Sequence, residues 1–293
     1  MTRFAHFLAI DWSGAKGTRH KGIAVALADM AGGPPVLVAR EGGWSRTDVL
    51  SFLARDLPPA TLVGLDLGIA LPHADCGAYF PGDRDTPRDA PALWQLVDDV
   101  CRNEPDLGAN AFIDHHQFAP FFRRHGGREG TSFRCDGAAH GQGRFRVTER
   151  AQAAMGCKPT SNFNLVGAAQ VGKASLTGMR MLHRLRGQLP VWPVDPLPDE
   201  GSAIVEIYTS LAALEAGRRA GRAKMRDHEA LNAALAALGS LPVAGCGPID
   251  DHSSDALVTA AWLRRVADDP QRWHPHGLRT QVARTEGWTF GAF

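Results

Sequence analysis

Three strand-length apolar runs precede the first helix-forming segment, which restricts the chain to folds that open with a strand meander. Phe4-Ala-His-Phe-Leu-Ala-Ile10, Gly22-Ile-Ala-Val-Ala-Leu27 and Pro35-Val-Leu-Val-Ala39 are separated by turn residues. Ser45 is placed to cap a helix running to about Arg55, and Thr61-Leu-Val-Gly-Leu-Asp-Leu67 follows as a buried strand. The opening therefore reads βββαβ, and a strand reached through a crossover helix lies parallel to its neighbour. Farther on, a helix is expected from about Ala90 to Asn103. Apolar residues at helical spacing (Leu165, Val166, Val171, Leu176, Met179, Leu182) predict a long helix near 162–186. Ala203-Ile-Val-Glu-Ile-Tyr208 is a further strand, two helical stretches occupy about Leu211 to Leu238, and Ser253 to Ala267 is a helix with Asp255 in its first turn. The fold class is α/β: three antiparallel strands, then parallel ones, flanked by helices. Residues 1–71 and 200–293 form the core, and 72–199, rich in glycine, proline and arginine, form a large insertion or substrate-binding subdomain.

Composition narrows the function. With 293 residues and 44% hydrophobic content, the chain can bury a sizeable core. Its 32 Lys+Arg balance 31 Asp+Glu, so no global field draws it to a polyanion, and any such binding is local. The five cysteines are scattered, with no C-x-x-C spacing, which argues against a disulfide framework or structural zinc and for a reducing cytoplasm. No apolar run approaches the roughly 18 residues that span a bilayer, and Phe4 to Ile10 is too short for a signal peptide. A soluble, cytoplasmic protein with no membrane partner is expected.

Four acids stand where apolar segments rarely place them: Asp11, Asp66 and Glu206 in or ending strands, and Asp255 in an apolar helix. A buried carboxylate needs a cation or hydrogen-bond donors. Mg²⁺ or Mn²⁺ fits oxygen ligands, and two such ions about 4 Å apart can activate a water and stabilise the leaving oxygen of a phosphodiester. Any one of these acids could instead cap a helix or pair with an arginine.

The segments Ala9-Ile-Asp-Trp-Ser-Gly14, Val63-Gly-Leu-Asp-Leu-Gly68 and His252-Ser-Ser-Asp-Ala256, in this element order, resemble the ribonuclease H-like fold. More narrowly, the chain is similar to the predicted RNase H-like nucleases of domain of unknown function 429. Matching segments are Asp11, Asp66 with Gly68 and Pro72, Glu206-Ile-Tyr208, Asp255-Ala256 and Glu286-Gly287, whereas Thr209 stands where that family usually carries proline. The helix start also resembles RuvC-type resolvases, in which two positions three apart face one metal site. The resemblance covers about residues 4–70 and 200–293. It implies that Asp11, Asp66 and Asp255 are metal ligands, with His252 a fourth. Glu206 either completes the site or turns toward an arginine. Lys16, in the turn after the first strand, could neutralise the scissile phosphate or be a plain surface lysine.

Seven arginines lie between Arg123 and Arg150, interleaved with Phe133 and Phe145. Among them Arg134, Arg144, Arg146 and Arg150 are candidates for contacting DNA or RNA, although a chain with 27 Arg and 5 Lys produces arginine-rich stretches without function. The run Arg218, Arg219, Arg222, Lys224, Arg226 reads as a solvated face. Gly167 to Lys173 has P-loop spacing, but Ala174 replaces the magnesium-binding Ser or Thr, so its glycines fit helix packing better. Asp114-His115-His116 matches a manganese phosphoesterase signature, with a surface loop as the alternative, and His73, His140, His274 and His276 show no zinc spacing. The reading is a metal-dependent nuclease. The alternatives are an ATP-binding phosphotransferase of the sugar-kinase and actin type, suggested by Asp11-Trp-Ser-Gly-Ala-Lys-Gly17, and a non-catalytic nucleic-acid-binding module.

Overall fold

The computed structural model describes residues 3–134, 143–167, 170–218 and 224–293. Cys135, His140, Ala168, Ala169, Arg219 and Arg222 lie outside the described residues. The strands are β1 (His6–Asp11), β2 (Ala24–Asp29), β3 (Val36–Leu37), β4 (Thr61–Asp66), β5 (Val191–Trp192) and β6 (Ala203–Glu206). They form one sheet in the order β3-β2-β1-β4-β6-β5. β1, β2 and β3 are antiparallel, while β1, β4, β6 and β5 run parallel. This is a ribonuclease H-like mixed sheet, enlarged by β5 and by the long segment after β4.

The helices are α1 (Arg46–Arg55), α2 (Ala90–Val100), α3 (Asn110–Asp114), α4 (Val147–Ala154), α5 (Val171–Leu185), α6 (Thr209–Glu215), α7 (His228–Ala237), α8 (Asp251–Val266), α9 (Pro270–Trp273) and α10 (Thr280–Thr285). α1 begins as its sequence dictates: the Ser45 hydroxyl accepts from the Asp48 backbone, and the Asp48 carboxylate accepts from the Ser45 backbone.

The two-residue alternation of a strand divides the core. Leu8 and Ile10 of β1 and Val63 and Leu65 of β4 pack with α1, α2 and α5, together with Phe80, Phe112 and Phe163 from the inserted segment. Phe7 and Ala9, with Leu62, Ala203 and Val205, pack on the other face with α6, α7 and α8. Helices α2 and α5 of the inserted segment thus join α1 in one of the two helical layers on the sheet. On the α8 face small residues permit close approach: a Cβ at Gly64 would lie 2.8 Å from Ile207 Cγ2 and 2.9 Å from Leu263 Cδ1. Gly64→Val is expected to lower stability by about 1–3 kcal/mol through overpacking, read as a lower urea midpoint at unchanged slope.

Several expectations need correction. The helix near 162–186 starts at Val171. Leu165 and Asn164 are held before it by backbone bonds, Leu165 N–H to Arg123 O at 2.9 Å and Gly172 N–H to Asn164 O at 3.0 Å, so the buried apolar residues at 163 and 165 belong to a loop. β5, two residues between prolines, adds an edge strand that the sequence pattern did not reveal. Cys76 is disulfide-bonded, contrary to the expectation from cysteine spacing, whereas Cys101, Cys157 and Cys246 are free thiols. Among the described residues, no helix is long and apolar enough to cross a membrane.

Candidate metal centre

Asp11 and Asp66 are register partners at the carboxyl ends of adjacent parallel strands. Both follow small residues, Ala9 and Gly64, on the α8 side of the sheet, so the pleat sends both carboxylates the same way. α8 packs across β1 and β2, and its N-cap is Asp250, whose side chain accepts from Ser253 N–H. This start lies two residues earlier than expected and places Asp255 one turn inside the helix. His252 Nδ1 lies 3.1 Å from Asp11 Oδ2. The Thr209 hydroxyl donates to Asp66 Oδ2 at 3.4 Å. Asp11, Asp66, His252 and Asp255 line one cleft of about 580 Å³, which Lys224 also borders.

The electrostatics of this cleft are strained. Burial raises the Asp66 pKa well above the usual carboxylate range, and the charges of Asp11 and Asp255 push it further. Asp255 is pushed up to about 7, first by burial and then by Asp11. Asp11 is raised by burial, against the opposing hydrogen bond from His252. His252 is raised in turn, chiefly by that hydrogen bond. The donor set of three carboxylates suits a hard divalent cation. Among the described residues, however, no three His, Cys, Asp or Glu side chains form a ready-made metal cluster. Like charges at this depth repel, and drawing them together takes a cation.

A carboxylate whose folded pKa is raised stabilises the fold at low pH and loses that contribution as pH rises through the folded value. Metal-free protein is therefore expected to lose thermal stability between about pH 4 and pH 8, with Asp255, at about 7, setting the upper part of the window. Thermal melts in EDTA across that range check this, and added Mg²⁺ should flatten the upper part.

The other predicted site residues are engaged differently. Glu206 and Arg146 also border the cleft, but Val205 shares the face of Asp11 and Asp66, so the next residue, Glu206, lies on the opposite face with Leu65. There Arg146 holds it, Nη2 to Oε1 at 2.6 Å and Nη1 to Oε2 at 2.7 Å. Arg146 also pairs with Glu149 at 2.6 Å, and burial, which disfavours its charge, is outweighed by the two glutamates, so its pKa is raised. Arg144 is fully buried, paired with Asp75 at 2.6 Å and donating to the carbonyls of Pro72, Ala78 and Tyr79. Arg144 and Arg146 are buried struts that tie the inserted segment together by ion pairs. Arg134 is exposed and paired with Glu129 at 2.7 Å, while Arg150 Nε is buried with no hydrogen-bond partner among the described residues. Glu286, of the Glu-Gly pair, is also structural, accepting from the backbones of His73, Ala74 and Val147. Lys16 lines a separate pocket beside the cleft.

Sequence reasoning missed two residues. Lys224, assigned to a solvated face, lies 2.9 Å from Asp251 and close enough to Asp11 and Asp255 to be influenced by both. Thr209, noted only as a replacement for proline, is a donor to Asp66. The signal for Lys224 was its position as the lone lysine among arginines, shortly before the acid-rich start of α8. Comparison with family models, curated proteins and solved structures returned no match.

Proposed function

We propose that the protein is a divalent-cation-dependent nuclease that hydrolyses phosphodiester bonds of nucleic acid. The observation that carries this reading is the placement of Asp11, Asp66 and Asp255, from β1, β4 and α8, in one cleft where burial raises all three and the neighbouring carboxylates push Asp66 and Asp255 further. Perturbed carboxylates of this kind cluster at functional sites. The strand order and the three acids also agree with the resemblance to RuvC-type resolvases and to domain of unknown function 429, which narrows the reaction class by analogy.

In this reading Asp11, Asp66 and Asp255 hold Mg²⁺ or Mn²⁺, which when bound supplies Lewis-acid activation of the phosphate and of an attacking water. His252 orients the Asp11 carboxylate through its Nδ1 contact. Thr209 donates to one oxygen of Asp66, which lines the cleft. Lys224 offsets negative charge beside Asp255 and Asp11. Glu206 keeps Arg146 and the insertion in place and acts on the chemistry only through the fold.

The test is incubation of labelled single-stranded, double-stranded and junction DNA and RNA with the protein in Mg²⁺, Mn²⁺ or EDTA. Cleavage confined to the cation-containing reactions is expected. Absence of cleavage on every substrate, with turnover of ATP, would instead favour the phosphotransferase reading.

A further inference from the structure

A second pocket, of about 210 Å³, adjoins the acidic cleft, and Gly14 and Ala15 line both. Its chemistry is the reverse of the cleft's. Lys16 and Lys173 both line it, and neither has an ion-pair or hydrogen-bond partner for its amine among the described residues. Arg46, which is 2% exposed, lines it as well. Its Nε donates to Asp106 O at 2.8 Å and lies 3.6 Å from Asp106 Oδ2, and its Nη1 donates to Ser13 O and Ala15 O at 2.9 and 3.0 Å. Nη2 has no hydrogen-bond partner among the described residues. The guanidinium therefore fixes the turn after β1 while keeping one donor uncommitted.

Glu104 is the carboxylate of the lining, and it is consumed locally, accepting from Asn110 N, Asn110 Nδ2 and Ala111 N. The two lysines thus leave the pocket with uncompensated positive charge. The turn is pressed onto the first turn of α5, because a Cβ at Gly14 would run into the backbone of Lys173 and Ala174. That contact brings Lys16 and Lys173 to one pocket from positions far apart in sequence. The Lys173 pKa is lowered, by burial first and then by the charge of Lys16, as expected of two amines that share a site without an anion.

We propose that this pocket is a phosphate subsite, in which Lys16, Lys173 and the free Arg46 donor hold a backbone phosphate of the same strand whose neighbouring phosphodiester lies at Asp11 and Asp66. The subsite rests on the nuclease reading and deepens it by naming how the strand is positioned, and Gly14, common to both pockets, gives the path between them. Lys16 is then a positioning residue for the flanking phosphate.

The test is fluorescence anisotropy with a labelled single-stranded oligonucleotide across a salt series, using Asp66→Asn as the background so that no cleavage intervenes. Each of Lys16→Gln and Lys173→Gln is expected to weaken binding about fivefold at 0.1 M salt and to lower the salt slope by about 0.7, the contribution of one released counterion. Lys173→Arg should restore most of the slope. Unchanged melting temperatures keep folding out of the comparison, and Lys21→Gln, an exposed lysine outside both pockets, controls for general charge. Losses no greater than that of Lys21→Gln, or no binding by the parent, would overturn the subsite. ATP binding that depends on Lys16 and Lys173, with no oligonucleotide binding, would overturn the strand assignment and give the pocket to a nucleotide. If the oligonucleotide binds through both lysines while the wild type cuts nothing, the subsite stands and the nuclease reading fails.

Discussion

Asp66→Asn is expected to abolish cation-dependent cleavage, by at least about 10³-fold, which corresponds to roughly 4 kcal/mol of barrier, while making the metal-free protein more stable. The two effects share one cause. Asp66 sits beside Asp11 and Asp255 with a pKa raised by burial and by their charges, so a neutral amide removes repulsion that the fold otherwise bears. The carbonyl oxygen of the introduced amide can still accept from Thr209, so the local geometry survives. Each kcal/mol of relieved repulsion should raise the melting temperature in EDTA by about 2–4 °C. The stabilisation should be larger at pH 8 than at pH 5, because Asp255, raised to about 7, is largely protonated at the lower pH and repels Asp66 less there. A variant that is inactive and less stable at both pH values would point to misfolding in place of lost chemistry.

Arg146→Ala is expected to be the most destabilising single substitution of those considered. Its guanidinium bridges Glu149 and Glu206, both buried, and donates to Glu286 O at 3.0 Å. Removing it leaves two buried carboxylates facing each other, a loss of about 3–5 kcal/mol for a broken buried pair. At about 2–4 °C per kcal/mol the melting temperature should fall by roughly 6–20 °C. The deficit should shrink as pH is lowered, because Glu149, which burial already raises and Arg146 holds down, is protonated more readily once its cation is gone. Differential scanning calorimetry at pH 5 and pH 8 reads both effects. Arg134→Ala, at an exposed arginine paired with Glu129, should leave the melting temperature essentially unchanged, because water screens an exposed ion pair.

These contrasting arginines show where sequence reasoning succeeds and where it stops. β1, β2, β4, β6 and α1 were legible because their information is local: apolar runs of strand length, and Ser45 and Asp48 spaced for mutual capping. The three acids were legible because a carboxylate at the end of an apolar strand or inside an apolar helix is conspicuous wherever the chain goes next. What decides the fate of Arg144 and Arg146 is distant in sequence, Asp75 for one and Glu206 for the other. Composition saw seven arginines, and only tertiary packing distinguishes a strut from a surface contact. Glu206 illustrates the same limit on a finer scale. Its strand was anticipated, but the face it occupies depends on the register with β4, which pairs Leu65 with Glu206 and so turns Glu206 away from Asp66. β5 escaped notice because two residues carry no periodicity. The start of α5 was misplaced because Leu165 satisfies a helical pattern while its backbone bonds to Arg123.

The most direct test of the cleft is calorimetric titration of the metal-free protein with Mn²⁺, comparing the wild type with Asp66→Asn and Asp255→Asn at pH 7.5. Saturable binding by the wild type, accompanied by proton release from the raised carboxylates and lost or greatly weakened in both variants, is the predicted result. Equal binding by all three proteins, or none by the wild type, would show that Asp11, Asp66 and Asp255 do not hold a cation.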